Sequence, residues 1–303
     1  MIQTEYVSGN TGCLHCGGSC IPFYQIKEGT WILMDSGPFS IRGELDQYFK
    51  KHGIQIRAVL CSHAHFDHTE NNSFLQKEYG AELYLSVYDS EILRDWTAMK
   101  SVFYSYTGKD NSLYNKEMMC HVDKLILSEQ TEVQVDEAVF QILRLPGHAA
   151  SQIGFVTPDR VAYLADSLFG FNMLQNNKIF YMLDWTRALE TLERMKTFPF
   201  EYCVVAHGGL CRNLSDLAEI NIQSFSRILN DFYEQFCKLT ACQYVSLDEL
   251  VREAGTWYSF TSSHYVKVRV FERIIRAMTE YFLENGKILY HVRDGVIVYG
   301  AAE

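Results

Sequence analysis

Long apolar runs, proline and a secretory start are scarce or missing in this 303-residue sequence. No stretch approaches the roughly 18 uninterrupted apolar residues of a membrane-spanning helix, so we expect no membrane association. Five prolines and no Ser/Gly-rich tract argue against a flexible linker. Residues 1–5 lack the basic start and apolar stretch of a signal peptide. Together with an odd count of nine cysteines, this favours reduced thiols and a cytoplasmic protein.

Basic residues are also in deficit. The 27 Lys and Arg residues are outnumbered by 37 Asp and Glu residues, which gives a net charge of −10. This charge repels nucleic acid and no local basic patch offsets it, so we expect no nucleic-acid partner. The 48% hydrophobic and 21% charged residues are typical of a folded globular protein. At roughly 150 residues per domain, the length favours one large domain, with or without a smaller appendage.

The first two thirds of the chain repeat one pattern, in which a short apolar run ends abruptly at a polar residue. Such runs are typical of buried strands, and helical stretches around 72–79 and 186–196 separate some of them. We therefore expect an α/β arrangement of sheets covered by helices. Catalytic groups tend to lie where strands end. The runs span 31–34, 58–61, 140–145, 161–165 and 202–206, and they are followed by Asp35, Ser62-His63, Pro146-Gly147-His148, Asp166 and His207.

From about Asn213 the sequence changes to amphipathic helix, with apolar residues at three- and four-residue steps and a break at Asn221. The predicted elements are helices over 217–236, 246–254 and 264–283 and a hairpin over 288–299. Helices followed by a hairpin resemble a winged-helix appendage. Such tails often bind nucleic acid, but the acidic balance weakens that interpretation. We favour a role in closing a substrate pocket or in building a homodimer.

The segment His63-Ala64-His65-Phe66-Asp67-His68 places four metal-competent side chains in six residues directly after a strand. In an extended segment, residues two apart point the same way, so His63 and His65 can bind one ion together. Asp67 and His68 lie on the following turn and can face a second ion. A His-rich surface loop is the alternative, but clustered His and carboxylate side chains favour a metal site.

Three further residues, His148, Asp166 and His207, each follow one of the predicted strands and could converge with this cluster. The total of five His and two Asp suffices for two neighbouring divalent ions. Two ions bridged by a hydroxide supply a nucleophile at neutral pH and polarise the carbonyl or phosphoryl oxygen under attack. His and carboxylate ligands accept zinc, iron or manganese, and we expect zinc.

This ordered set of motifs resembles the metallo-β-lactamase-fold hydrolase superfamily over roughly residues 1–212. The resemblance implies an αββα sandwich with the metals at one edge of the paired sheets, and a C-terminal helical extension over 213–303. It also implies ligand roles: His63, His65 and His148 for the first metal, Asp67, His68 and His207 for the second, and Asp166 bridging both. Asp35 matches the family's first motif and would support the site from behind. Its alternative is an ordinary turn aspartate.

Subgroup features narrow the reaction. The segment Ala165-Asp166-Ser167-Leu168-Phe169 is similar to glyoxalase II, a thioesterase, but the Gly-Cys-Gly-Arg sequence that usually follows is absent. Lactonases of the family carry Tyr where Phe169 stands. His65 argues against flavodiiron proteins, which have Glu there, and the extra domain of the nucleases is missing. The resemblance therefore predicts a dinuclear hydrolase of an ester, thioester or lactone, in which Asp67 orients the nucleophile and shuttles its proton. The alternatives are a mononuclear iron oxygenase of the persulfide dioxygenase type and a phosphodiesterase.

Two aromatic clusters flank the predicted metal edge. The first includes Trp96, Phe103, Tyr104 and Tyr106, and the second includes Phe169 and Phe171. We expect Trp96, Phe169 and Phe171 to form part of an apolar lid over a small apolar substrate. Aromatic residues are more often core, so packing alone is an equal alternative.

The segment from Cys13 to Cys20 contains one C-x-x-C pair, Cys13 and Cys16. This pair could bind a structural zinc or undergo redox chemistry. One C-x-x-C without a second pair is weak support for a site, and packed free thiols are the default interpretation.

Overall fold

The computed structural model describes residues 2–102 and 107–302. Two β-sheets lie face to face, and helices cover the outer face of each. The αββα sandwich predicted from the sequence is confirmed. Among the described helices, none is long and apolar enough to cross a membrane. All nine cysteine thiols are free.

The first sheet has the strand order β1-β2-β3-β4-β5-β6-β7. Strands β1 to β4 pair antiparallel, whereas β4 to β7 pair parallel, so β4 and β5 end at the same edge. The strands are β1 (Gln3–Ser8), β2 (Thr11–Cys16), β3 (Ser19–Lys27), β4 (Thr30–Met34), β5 (Gln55–Leu60), β6 (Glu82–Ser86) and β7 (Lys124–Ile126).

The second sheet has the order β13-β12-β11-β10-β9-β8. Strand β10 is antiparallel to both β9 and β11, and β11 is parallel to β12, so β9, β11 and β12 run in one direction. The strands are β8 (Glu132–Val135), β9 (Ala138–Arg144), β10 (Ile153–Val156), β11 (Val161–Tyr163), β12 (Tyr202–Val205) and β13 (Gly209–Cys211). All five apolar runs singled out in the sequence are strands.

Side-chain alternation divides the core into layers, because successive strand residues point to opposite faces. Leu33 and Val59 face outward and pack against helices of the first half of the chain. Ile32, Ala58 and Phe140 face inward and fill the space between the sheets. The helices of the first half are α1 (Arg42–His52), α2 (Phe66–Thr69), α3 (Asn72–Tyr79), α4 (Val87–Arg94), α5 (Trp96–Val102) and α6 (Gly108–Tyr114).

The outer face of the second sheet is covered by α8 and by the C-terminal helices, which share one continuous core cluster with it. The remaining elements are α7 (Phe171–Asn176), α8 (Trp185–Met195), α9 (Leu214–Thr240), β14 (Val245–Ser246), α10 (Leu247–Trp257), α11 (Tyr265–Glu284), β15 (Ile288–Arg293) and β16 (Val296–Ala301). The three predicted helices and the hairpin of the extension are present. The division at 212/213 stays a prediction, since the extension packs directly on the sheet.

Asn221 breaks the apolar stripe of α9 for a structural reason. Its side chain is fully buried. Its amide group hydrogen-bonds to both backbone groups of one residue in the segment that follows Asp166. Phe169 N donates to Asn221 Oδ1 at 2.9 Å, and Asn221 Nδ2 donates to Phe169 O at 3.0 Å. A buried polar group is tolerated when its hydrogen bonds are satisfied. Asn221 thereby fixes the extension to the loop that carries Asp166.

Candidate metal centre

The predicted ligand residues meet at one edge of the sandwich. Strands β4 and β5 of the first sheet end there, beside Asp35 and His63. Strands β9, β11 and β12 of the second sheet end there as well, and His148, Asp166 and His207 follow them. The short helix α2 carries Asp67 and His68. All seven residues predicted as ligands lie in two adjoining groups.

The first group consists of three imidazole nitrogens. His63 Nε2 lies 2.9 Å from His65 Nδ1, which in turn lies 2.8 Å from His148 Nε2. The other ring nitrogen of His148, Nδ1, donates to the Tyr181 carbonyl at 3.0 Å. This hydrogen bond fixes the tautomer, so the Nε2 lone pair points into the group.

The second group consists of Asp67, His68, Asp166 and His207. His207 Nε2 lies 3.2 Å from Asp67 Oδ2 and 3.5 Å from Asp166 Oδ2. Asp166 Oδ2 also lies 3.4 Å from His148 Nε2 of the first group, and Asp166 Oδ1 lies 3.3 Å from His68 Nε2. The Asp166 carboxylate therefore stands between the two groups and faces both.

The donor set fits divalent metal ions. His68 Nε2 and Asp166 Oδ1 are buried and lie 3.3 Å apart, and within the described residues neither makes a hydrogen bond of normal geometry. Buried polar atoms are rarely left unsatisfied, and two that face each other across a cluster of nitrogen and oxygen donors indicate a bound cation. Imidazole and carboxylate ligands suit zinc, iron and manganese.

The two groups differ in charge. Burial lowers the pKa of His65 to about 3, and burial together with the facing His68 holds the pKa of His63 well below its ordinary value. In the second group burial also opposes the charged form of His207, but the Asp166 and Asp67 carboxylates raise its pKa to about 10. Without metal at neutral pH, the first group is neutral and the second pairs protonated His with carboxylates.

Asp35 is buried directly behind the site and accepts hydrogen bonds from several residues around it. Its carboxylate accepts hydrogen bonds from Ser62 N and Ser62 Oγ at 2.6 Å, from Tyr163 OH at 2.6 Å and from His68 Nδ1 at 2.7 Å. The last bond orients the His68 ring so that Nε2 faces the second group. Asp35 has a φ of 66°, a left-handed conformation that costs a non-glycine residue free energy. These four bonds hold it in that conformation.

A cavity of about 200 Å³ opens over the two groups. His65, Asp67, His148 and Asp166 form its floor. One wall belongs to the extension, where α11 contributes residues at helical i, i+3, i+4 and i+7 spacing. These wall residues are Val266, Arg269, Val270 and Arg273. The remaining lining residues are Phe66, Asn115, Met118 and Tyr181.

None of the three aromatic residues predicted for the lid is among the described residues that line this cavity. Phe169 is buried in the core, stacked on Phe180 behind His207. Phe171 is 56% exposed on α7, and Trp96 packs against the outer core of the first sheet. Phe103, Tyr104 and Tyr106 of the predicted first cluster lie outside the described residues.

Comparison with known proteins decides the family. The family model of the metallo-beta-lactamase superfamily matches residues 21–207. The chain belongs to this superfamily. The match contains every residue of both donor groups, so the His/Asp cluster lies within the superfamily domain.

Individual superfamily members are only distantly similar. The chain is 25% identical to hydroxyacylglutathione hydrolase GloC of Haemophilus influenzae over 126 residues, which is 41% of this chain and 56% of that relative. The chain thus spans little more than half the length of that relative. A beta-lactamase domain protein from Burkholderia ambifaria superposes with a TM-score of 0.69 at 16% identity, covering 99% of this chain and 94% of that one. A metallo-beta-lactamase family protein from Thermus thermophilus gives 0.68 at 17% identity, covering 100% and 98%. At these identities the structures show the shared fold alone, here including the extension.

Asp89 is a supporting residue that sequence reasoning missed. It is buried on α4, where its carboxylate accepts from Ala64 N at 3.1 Å, from Ser86 Oγ at 2.6 Å and from Ser151 Oγ. Ala64 lies between two metal-site histidines, and Ser151 follows His148 closely. Asp89 thereby joins two loops of this superfamily's metal site. Its one sequence signal was Ser86, which caps α4 three residues earlier.

Replacing Asp35→Asn should weaken metal binding. Asparagine has the same size and tolerates the left-handed conformation, but it removes the charge that orients His68. We expect the affinity of the more weakly bound metal to fall about 10- to 100-fold, measured by competition with a chelator. Asp136→Asn is the matched control, because Asp136 also has a positive φ, 51°, yet is exposed and pairs with Arg57. Equal metal affinity in both variants would contradict the role of Asp35.

Metal binding at the second group should release protons. Because the pKa of His207 is about 10 without metal, this ring is protonated at pH 7 and must lose its proton to become a ligand. The affinity of the second metal should therefore fall about tenfold per pH unit, for each proton displaced, as the pH is lowered from 8 to 6. The first metal should bind with little pH dependence in that range, because the pKa of His65 is about 3. Calorimetric titration in buffers of different ionisation enthalpy measures the released protons, and release of none would refute the prediction.

Proposed function

We propose that the protein is a dinuclear metal-dependent hydrolase that cleaves an ester, thioester or lactone of a small molecule. The observation that supports this proposal is the position of the Asp166 carboxylate. Its Oδ2 lies 3.4 Å from His148 Nε2 and 3.5 Å from His207 Nε2, and its Oδ1 lies 3.3 Å from His68 Nε2. A carboxylate that faces both donor groups suits a ligand shared by two ions. Both groups also open into one cavity, which gives a substrate access to them.

Each group would hold one ion, and zinc is the ion we expect, with iron or manganese as alternatives. His63, His65 and His148 would hold the first, and Asp67, His68 and His207 the second, with Asp166 between them. When bound, such ions lower the pKa of a coordinated water and polarise the carbonyl oxygen of the substrate.

The chain's own residues prepare the site for this reaction. Asp35 and the Tyr181 carbonyl fix the rings of His68 and His148, so the donors do not have to reorganise. Asp67 is 21% exposed at the cavity floor, and its Oδ2 lies 3.2 Å from His207 Nε2. We assign Asp67 the role of orienting the attacking water and taking its proton.

The cavity wall supports a substrate with an apolar body and an anionic group. Val266, Val270 and Met118 supply apolar surface, whereas Arg269 and Arg273 bring two guanidinium groups from the same helix face. Glu272 lies 2.8 Å from Arg269 and holds it in place. Arginine is well suited to carboxylates and phosphates because it binds them with two parallel hydrogen bonds. The anionic feature agrees with the substrate class named for the Haemophilus relative, a hydroxyacylglutathione, because the glutathione part carries carboxylates.

The test of the proposed function is elemental analysis of the purified protein together with a substrate panel. The panel comprises acyl-glutathione thioesters, lactones, aryl esters and phosphodiesters. Two zinc or manganese ions per chain and turnover of an acyl substrate are expected. One iron per chain with oxygen consumption and no hydrolysis would instead identify an iron oxygenase. Turnover confined to phosphodiesters would contradict the acyl substrate.

The substitutions Arg269→Gln and Arg273→Gln should each weaken the binding of anionic substrates. Loss of one charge-assisted contact costs about 1.5–3 kcal/mol, which corresponds to a rise of about 10- to 150-fold in KM for the carboxylate-bearing substrate. Little change is expected for a neutral ester of the same length, and kcat should be nearly constant. Lys267→Gln is the control, because Lys267 is exposed on the same helix and does not line the cavity. A uniform loss for charged and neutral substrates would argue against anion recognition.

A further inference from the structure

The β2–β3 hairpin carries a second cluster of metal-competent side chains, outside the site described above. Cys13 and His15 are two residues apart on β2, so they point to the same face of the sheet. His15 pairs with Cys20 across the hairpin, which places Cys20 on that face too. Cys16 points to the opposite face and packs into the outer core. The residue that shares a face with Cys13 is therefore Cys20, and not Cys16 as the C-x-x-C spacing suggested.

The donor atoms of this cluster converge. One ligand atom each from Cys13, His15 and Cys20 lies within 4.8 Å of the other two, and Cys20 Sγ lies 3.3 Å from His15 Nδ1. The other ring nitrogen, His15 Nε2, lies 2.8 Å from Glu5 Oε2 on the neighbouring strand β1. A carboxylate that accepts from the far nitrogen is the usual arrangement behind a metal-binding histidine, because it fixes the ring and its tautomer.

The strand register favours chelation over a disulfide. Cys13 pairs with Pro22, and Cys20 pairs with His15, so the two cysteines are diagonal rather than directly opposite. Diagonal residues on a strand pair have Cα atoms about 7–8 Å apart, beyond the range that a disulfide spans without backbone movement. A metal ion bridges longer separations, since each Zn–S bond is about 2.3 Å.

The cluster is accessible and is joined to the metal edge. The His15 side chain is 37% exposed, whereas Cys13 and Cys20 are buried, so an ion would reach the thiols past the imidazole ring. Gly209 leaves room beside them, because a Cβ there would lie 3.6 Å from Cys20 Sγ and 3.7 Å from His15 Cε1. Cys20 N donates to Ala206 O at 2.8 Å, directly before His207. An ion bound here would therefore stabilise the hairpin that holds the segment leading to His207.

We propose that Cys13, His15 and Cys20 form a separate binding site for a thiophilic divalent cation such as Zn²⁺, with Glu5 supporting His15. Two thiolates and one imidazole are a ligand set that zinc accepts in tetrahedral geometry, with the fourth position left for water or another small ligand. The site contains sulfur, whereas the two groups at the sheet edge contain only imidazole and carboxylate donors. This difference makes the two sites separable by spectroscopy.

The experiment is titration of the reduced full-length protein with Co²⁺, followed by the thiolate-to-cobalt charge-transfer absorption in the near ultraviolet. The wild-type protein should show this band, and Cys13→Ser and Cys20→Ser should each lose it. Cys16→Ser is the matched control, since Cys16 lies on the same hairpin but faces away, and it should keep the band. His15→Ala should weaken Co²⁺ binding at least tenfold while both thiols remain. Circular dichroism of each variant checks that it is folded.

A second arm separates this proposal from the proposed hydrolase. His63→Ala with Asp166→Ala removes ligands from both edge groups and should leave the charge-transfer band intact. Absence of the band in the wild-type protein, or its persistence in folded Cys20→Ser, would overturn the cysteine site. Either result leaves the hydrolase proposal standing, because turnover of the acyl substrate tests that proposal independently.

Discussion

The metal edge depends on one buried carboxylate. Asp35 directly follows β4 and has a left-handed conformation, and a buried carboxylate is stable only when its oxygens accept hydrogen bonds. The four donors come from three segments: Ser62 after β5, His68 on α2 and Tyr163 at the end of β11. One side chain thus joins both sheets to the histidine motif. The hydrogen bond to Asp35 fixes the His68 ring, and the orientation of that ring places His68 Nε2 within the second donor group.

Other loops around the site are also held by buried polar side chains or by close backbone packing. Asp89 joins the motif loop at Ala64 to the loop after His148, and Asn221 joins the loop after Asp166 to α9. Gly147 has a φ of 141°, and a Cβ there would lie 2.5 Å from the Ala188 backbone, so the loop of His148 packs tightly on α8. The loops of the histidine motif, His148 and Asp166 are therefore held by buried polar contacts or by close backbone packing. Such preorganisation keeps the lone pairs of neighbouring donors together at distances below 4 Å.

Much of this arrangement could be predicted from the sequence, because it depends on local patterns. Apolar runs marked the strands, and polar residues at their ends marked the donors. The helix predicted over 246–254 and the hairpin predicted over 288–299 rest on equally local patterns, and the structure contains both. Asp89 and the pairing of Cys13 with Cys20 could not be predicted in the same way. Both depend on which strands and loops become neighbours, and no spacing along the chain records that.

The positions of the aromatic residues also could not be predicted from the sequence pattern. Composition alone does not distinguish a core ring such as Phe169 from a pocket ring, and Phe171 is exposed on a short helix. The apolar stripe of α11 likewise predicts core contacts along its whole length. The structure divides it: Phe271, Ile274 and Met278 are buried, whereas Val266 and Val270 extend past the core and line the cavity.

This division gives α11 two functions on one helix. Its later turns bury aromatic and aliphatic side chains in the core shared with the second sheet, which fixes the helix axis relative to β11 and β12. Its first turns then project over the donor groups with residues at i, i+3, i+4 and i+7, alternating valine with arginine. The floor of the cavity is therefore set by the sheet edge and the wall by the extension. A change of residues 266, 269, 270 or 273 can alter the shape and charge of the wall while the donors at the floor, which belong to other elements, keep their positions.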